Sequence, residues 1–177
     1  MEYGSKQEYE INSQTMALIA KHREDGSIIT IVLESKGTYT VEKCPSQIVD
    51  ESCRYFASSL EGRMSGTKQI TNYTHKPPIV ISEAMQIYFF PIISPKRKDC
   101  TWVAHKFIRS YNGETDQTTT IQFTNGSSVN IPVSIGMFAN QVQRTAHFRV
   151  ILEDRLRKTL LPSEESPSHE RVAEIFS

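Results

Sequence analysis

Arg63 stands between two glycines in a segment of small residues, a type of sequence that lets the backbone approach a partner closely. The segment, 58–67, has the sequence SSLEGRMSGT. Its hydroxyl and backbone N–H groups could donate hydrogen bonds to phosphate oxygens. Ser58, Ser59, Arg63 and Thr67 are therefore candidates for phosphate contacts, with Arg63 expected on an exposed loop. The alternative is an ordinary turn that ends a helix and carries a solvated arginine.

Prolines, which fix the backbone torsion φ, accompany two further basic segments. His75 and Lys76 precede a pair of prolines, and Lys96, Arg97 and Lys98 follow another proline. Three adjacent positive charges repel each other unless water or an anion lies beside them. These five side chains are candidates for phosphate contacts. A plain exposed turn is the alternative for the run at 96–98.

Arg54 is a weaker candidate, because Asp50 and Glu51 precede it by four and three residues. On a helix, either carboxylate is well placed to pair with its guanidinium. A structural salt bridge is at least as consistent with this spacing as a DNA contact.

The formal net charge is zero, with 20 basic and 20 acidic residues, but the charges are segregated along the chain. Residues 52–112 carry nine Lys or Arg and three Asp or Glu, a net charge of +6, and residues 141–158 carry five and two, a net charge of +3. Such segregation can build a basic face on a neutral protein. Ordinary solvated surface charge is the alternative.

Catalytic motifs are missing from the sequence, which has no G-x-S-x-G, H-E-x-x-H or complete phosphate-binding loop. We therefore do not expect an enzyme, and no cofactor is implied. The three cysteines lack the paired C-x-x-C spacing of a structural zinc site. Cys53 is expected on the apolar face of a helix, as a small buried side chain. A small metal-binding enzyme remains an alternative.

Three scattered cysteines are an odd number for an extracellular disulfide framework, and they favour a reducing cytosol. No apolar run approaches the ~20 residues that a bilayer crossing needs, and the first residues do not resemble a secretory signal. We expect a cytoplasmic protein with no membrane partner.

The hydrophobic pattern predicts an α+β fold, a single domain rich in antiparallel strands. A short helix is expected near 46–60, where Val49, Cys53, Phe56 and Leu60 would face the core and Gly62 would follow its end. The predicted strands cover residues 15–20, 27–33, 38–42, 68–74, 79–81, 86–90, 101–109, 118–123 and 127–133.

An Asn125-Gly126 turn predicts a tight hairpin in the second half of the chain. Ser134 can then cap a long helix near 135–160, with Phe138, Val142 and Ala146 directed to the core. Residues 1–161 are expected to form the DNA-binding domain and 162–177 an acidic, flexible tail.

Several blocks of the chain resemble the family of the bacterial competence transcription factor ComK. They are QIVDESCRYF at 47–56, its continuation to 67, HKPPI at 75–79, Gln86-Ile87 with Phe90-Pro91, Cys100 with Trp102 and His105, Phe123 with Asn125-Gly126, and NQVQRTA at 140–146. The blocks follow one another in the same order as in that family, over roughly residues 9–157.

The resemblance implies an activator of genes for DNA uptake that binds paired A/T-rich boxes through the minor groove. It implies dimers that associate into tetramers on DNA, contact with RNA polymerase, and localisation at the nucleoid. A Clp protease adaptor is a further implied partner, although the tail lacks the aromatic–proline motif that such an adaptor binds.

Narrow A-tract grooves favour an inserted arginine, for which Arg63 is the candidate. Lys76, Lys96, Arg97 and Lys98 would then hold phosphates. The alternative is a protein-interaction module that has this fold and does not bind DNA.

Overall fold

Ten strands and three helices make up residues 4–161, the part of the chain that the computed structural model describes. The strands are β1 (Gly4–Lys6), β2 (Thr15–His22), β3 (Ile28–Glu34), β4 (Gly37–Val41), β5 (Ile79–Ser82), β6 (Ile87–Pro91), β7 (Trp102–Ala104), β8 (Ile108–Thr115), β9 (Thr118–Phe123) and β10 (Ser128–Ile131). The helices are α1 (Pro45–Tyr55), α2 (Leu60–Thr71) and α3 (Ile135–Leu160). The predicted acidic tail, 162–177, lies outside the described residues.

Seven strands form a large sheet in the order β1-β4-β3-β2-β7-β6-β5. All neighbours are antiparallel except β1 and β4, which run parallel. Gly26, with φ of +80°, closes the β2–β3 hairpin, because glycine adopts this torsion without a steric penalty. Together with the three helices, these strands confirm the α+β class.

A second sheet of three strands has the order β10-β9-β8 and is antiparallel throughout. Gly126, with φ of +87°, lies in the predicted hairpin turn between β9 and β10. The strand predicted at 101–109 is interrupted by a 3-10 turn, His105–Phe107. This turn lets the chain pass from one sheet to the other, because β7 belongs to the large sheet and β8 to the small one.

The first helical segment differs from the single helix predicted near 46–60. Helix α1 begins with Pro45 in its first turn and ends at Tyr55. A second helix, α2, then starts after its cap residue Ser59 and includes the segment 68–71, which was predicted as the start of a strand. The strand prediction was wrong because Thr67 and Ile70, three residues apart, both face the interior at helical spacing.

The long helix is confirmed, and Ser134 caps it by accepting a hydrogen bond from the Met137 N–H. Its predicted core side is confirmed at Phe138 and in part at Val142, which packs against the same cluster. Its buried residues are Phe138, Gln141, Thr145 and Phe148. Val142 and Ala146 are only partly buried. The apolar spacing did not identify the buried face in full, because the polar side chains of Gln141 and Thr145 lie on it.

The large sheet is covered on both faces, and adjacent residues of β6 therefore enter different hydrophobic clusters. Phe89 belongs to the cluster that includes α1, whereas Phe90 packs in the cluster with the small sheet and Phe138 of α3. Successive side chains of a strand point to opposite faces, which explains the division. No helix within residues 4–161 has both the length and the apolar content required to cross a bilayer.

Candidate nucleic-acid interface

A cleft of about 250 Å³ brings together basic side chains from a helix and two loops. Lys68 comes from the last turns of α2, His75 and Lys76 from the loop that precedes β5, and Lys96 from the loop that follows β6. Among residues 4–161, none of these four side chains lies in an ion pair. The cleft is therefore a concentrated positive surface available to an anion.

Helix α3 holds the His75–Lys76 side of this cleft. The Gln141 side chain is buried, and its Nε2 donates hydrogen bonds to the carbonyl oxygens of Lys76 (3.0 Å) and Pro91 (2.7 Å). Arg144 donates from Nη2 to the His75 carbonyl (2.7 Å) and from Nη1 to Oε1 of Gln141 (2.9 Å). The loop is thus fixed through its backbone, which leaves the basic side chains unoccupied.

The guanidinium of Arg144 also stacks on an aromatic ring at the edge of this loop. Its central carbon lies 4.3 Å from the centroid of the Tyr73 ring, and the Tyr73 hydroxyl meets Nδ1 of His147 at 2.7 Å. Partial burial lowers the pKa of Arg144, although that pKa starts far above neutrality. Arg144 remains charged and adds positive potential beside the cleft.

The Lys96 side of the cleft is fixed by helix α1. Ser46 donates from Oγ to the Pro95 carbonyl (3.0 Å) and accepts a hydrogen bond from Nε1 of the buried Trp102 (3.0 Å). These contacts tie the loop to the core of the large sheet. Lys96 therefore projects from a rigid loop.

The three adjacent cations at 96–98 do not act as one group. Arg97 makes two hydrogen bonds to Asp99, at 2.9 and 2.7 Å, which raise the pKa of Arg97 and lower that of Asp99. Lys98 borders a different depression, between the β2–β3 turn and the start of α1. Only Lys96 of this run enters the cleft.

Arg63 is not on an exposed loop, which corrects the prediction for this residue. It lies on α2, its side chain is 18% exposed, and Nη1 donates to Oε1 of Glu83 at 2.5 Å. The two flanking glycines are part of the helix, because the cap at Ser59 starts it before them. In this conformation Arg63 binds a carboxylate of its own chain.

Two hydroxyl groups proposed for phosphate contacts serve the helix instead. Oγ of Ser59 accepts the Gly62 N–H at 3.0 Å as the helix cap, and Thr67 is buried with its hydroxyl donating to the Arg63 carbonyl at 3.1 Å. Ser58 is half-buried and its N–H donates to the carbonyl of Cys53. Thr67 is therefore closed to a phosphate, whereas DNA contacts of the partly exposed Ser58 and Ser59 stay a prediction.

Arg54 forms the structural salt bridge that its spacing suggested. Its Nε lies 2.8 Å from Asp50 one turn earlier on α1, and this hydrogen bond raises the pKa of Arg54. The aspartate also accepts the Leu60 N–H at 2.9 Å, and thereby connects α1 to α2.

Lys68, Gln141 and Arg144 belong to this site, and none was selected as a site residue from the sequence. The hydrophobic pattern predicts Lys68 on a strand, and in the sequence the two α3 residues stand out as part of the NQVQRTA block. That block was the available signal: it carries a buried glutamine and a partly buried arginine whose partners lie 50 to 69 residues away.

The cysteines do not form a metal site in the described part of the chain. Cys53 is fully buried on α1, as predicted, and burial raises the pKa of its thiol to about 11. Burial likewise raises the pKa of Cys100 to about 12. Within residues 4–161 no three His, Cys, Asp or Glu side chains are grouped closely enough to hold a metal ion.

The structure defines a class of protein: an α+β domain with two antiparallel sheets and a basic cleft held by its long C-terminal helix. Residues 6–157 match the family model described as ComK protein. The chain is also 36% identical over 171 residues to the competence transcription factor of Bacillus subtilis strain 168, an alignment that covers 95% of this chain and 88% of that protein. No solved structure matches the chain.

The chain belongs to the ComK family, and the resemblance noted in its sequence is confirmed.

Proposed function

We propose that this protein is a DNA-binding transcription factor that activates genes for competence. The family and the name of the relative from Bacillus subtilis support the transcriptional role. The cleft of Lys68, His75, Lys76 and Lys96 carries the DNA-binding part of the proposal, because its three lysines form no ion pair with a carboxylate in residues 4–161.

The target that we propose is A/T-rich duplex DNA, contacted through the minor groove. A-tracts narrow this groove and deepen its negative potential, which attracts basic side chains. Lysine acts as a point charge toward phosphate and supplies affinity without base information. The cleft lysines therefore account for affinity and register, and sequence selection depends on the shape of the groove between the contacted phosphates.

The assembly and location that we propose follow the family. The protein would associate as dimers and tetramers on paired boxes, contact RNA polymerase, and act in the cytoplasm at the nucleoid. Binding to paired boxes predicts a defined protein-to-DNA ratio, which native mass spectrometry of the complex measures. A single protomer on a duplex with two boxes would contradict this arrangement.

The DNA-binding proposal is tested by fluorescence anisotropy with a paired A/T-box duplex and a G·C-rich duplex over a series of salt concentrations. We expect tighter binding to the A/T duplex and an affinity that falls steeply with salt, with a log–log slope of about −0.9 for each phosphate neutralised. The double variant Lys68→Ala/Lys96→Ala should bind more weakly, with a slope shallower by about 1.8, because two phosphate contacts are lost.

The matched control is Lys21→Ala/Lys36→Ala, which removes the same charge from two exposed positions outside the cleft. We expect this control to keep the wild-type slope. A salt-independent affinity, or equal losses in the two double variants, would refute the cleft as the DNA-binding surface. Such a result would favour a protein-interaction module.

A further inference from the structure

Lys76 has a left-handed backbone, with φ of +47°. A side chain with a Cβ rarely adopts this torsion, and strained backbone that persists in a structure is often associated with a functional site. The residue also precedes Pro77, and proline further restricts the backbone of the residue before it. The conformation therefore needs support from the surrounding structure.

The other positive φ angles of non-glycine residues in the described chain have ordinary local causes. Ala57 follows the C-terminus of α1, Asn72 caps α2, and Gln86 lies in the turn between β5 and β6. Helix ends and tight turns commonly place a residue in this region. Lys76 differs from them because it lies in a loop that a distant helix holds.

We propose that Gln141 and Arg144 are positioning residues that hold the strained His75–Lys76 backbone so that the Lys76 ammonium is ready to meet a DNA phosphate. This inference rests on the DNA-binding function proposed above. The proposal gives a role to two α3 side chains that do not line the cleft but form hydrogen bonds with the His75–Lys76 loop.

The hydrogen bonds of these two residues fix consecutive carbonyl groups of the loop. Gln141, 2% exposed, binds the carbonyl of Lys76, and Arg144 binds that of His75. Arg144 also binds Oε1 of Gln141 and so orients the glutamine amide. Pro77 and Pro78 are buried on the other side of Lys76. The backbone is thus held before and after the lysine.

The support is needed because two forces oppose this arrangement in the free protein. One is the backbone strain at Lys76, and the other is mutual repulsion among Lys68, Lys76 and Lys96 around the cleft. A bound phosphate relieves the repulsion. A loop that is already ordered also loses less conformational entropy on binding, which strengthens the complex.

The positioning role is tested with Gln141→Met, which removes the amide donor at similar side-chain volume, and with Gln143→Met as the control. Gln143 is exposed on the same helix. We expect Gln141→Met to retain Lys76 and yet show a salt slope shallower by about 0.9, equal to the slope of Lys76→Ala, because one phosphate contact is lost. Gln143→Met should keep the wild-type slope.

A purely structural glutamine would change affinity without changing the number of phosphates contacted. A wild-type slope in Gln141→Met would therefore refute the positioning role, whatever its affinity. A wild-type chain whose affinity does not depend on salt would instead refute the proposed DNA-binding function. The two failures are distinguishable, because the first leaves the salt slope of the wild-type chain intact.

The strain is tested without DNA by comparing Lys76→Gly with Lys76→Ala, a pair that does not depend on a buried substitution. Both variants lose the ammonium, but only glycine adopts positive φ without a steric penalty. We expect the urea midpoint of Lys76→Gly to be higher than that of Lys76→Ala. It should also be at least as high as the wild-type midpoint. A higher midpoint for Lys76→Ala would overturn the strained conformation, even if Gln141→Met folds poorly.

Discussion

Individual basic residues of this protein differ in whether a carboxylate lies next to them. Arg54, Arg63 and Arg97 each bind an acidic side chain of the same chain. The planar guanidinium suits a carboxylate better than an ammonium does, which is consistent with arginines in these pairs and with unpaired lysines around the cleft. Among residues 4–161, the Nε atom of Arg63 is the one buried polar side-chain atom without a hydrogen-bond partner. Its ion pair with Glu83 is thus incompletely satisfied.

We expect Arg63→Ala to reduce the free energy of unfolding by about 1–2 kcal/mol, less than for a fully buried pair because Glu83 is partly exposed. The preference for A/T over G·C duplexes should persist. Urea unfolding and anisotropy measure the two quantities. A double-mutant cycle with Glu83→Gln should show coupling between the two side chains. An Arg63→Ala protein of wild-type stability that loses its A/T preference would show that the arginine leaves Glu83 to read the groove.

Helix α2 connects the α1 side of the large sheet with the basic cleft. It begins at the Ser59 cap, packs Leu60 in the main core cluster, and presents Lys68 to the cleft near its end. The position of Lys68 therefore depends on where the helix begins. A shift of the cap by one residue would rotate Lys68 by about 100°, because an α-helix has about 3.6 residues per turn.

Ser59→Ala should lower the free energy of unfolding by about 1 kcal/mol, because Gly62 loses its capping partner. Ser59→Asp should retain stability, since aspartate caps equally well and suits a helix N-terminus. Ser65→Ala, at an exposed position of α2, is the control and should be nearly neutral. Thermal unfolding measures stability, and DNA affinity in Ser59→Asp should match wild type. A large loss of affinity there would indicate that a phosphate approaches Ser59.

The whole molecule combines two sheets through α3. Phe138, 1% exposed, makes edge contacts with Phe90 of the large sheet and Tyr111 of the small sheet. The same helix holds the His75–Lys76 loop one turn further along. Because one helix carries both sets of contacts, we expect the core and the cleft to unfold together.

Phe138→Ala should lower the free energy of unfolding by about 3–5 kcal/mol, because a buried aromatic side chain leaves a cavity between the sheets. The fluorescence of Trp102, the single tryptophan, reports on the large sheet, and far-ultraviolet circular dichroism reports on the whole chain. Both transitions should shift by the same amount. Met137→Ala, at an exposed neighbouring position, is the control. An unchanged Trp102 transition would show that the small sheet folds independently.

Patterns that repeat over a few residues were sufficient to predict much of this structure. The strands predicted at 27–33 and 118–123, the Asn125-Gly126 turn and the cap at Ser134 depend on local backbone preferences, and their predictions are confirmed. The division at 55–60 was not predicted, because one apolar spacing fits one long helix as well as two helices in succession. The break at His105–Phe107 depends on which sheet each strand joins, which spacing along the chain does not reveal.

The sequence by itself determined the family, the α+β class and the concentration of positive charge in the middle of the chain, because these depend on residue types and short-range order. The tertiary structure alone decided which cations share a surface. Lys68, Lys76 and Lys96 meet in one cleft, while Arg63 and Arg97 face carboxylates. The reason is physical: the folded positions of the helices and loops decide which side chains line one cleft and which acidic neighbour lies beside each charge, and spacing along the chain does not reveal these positions.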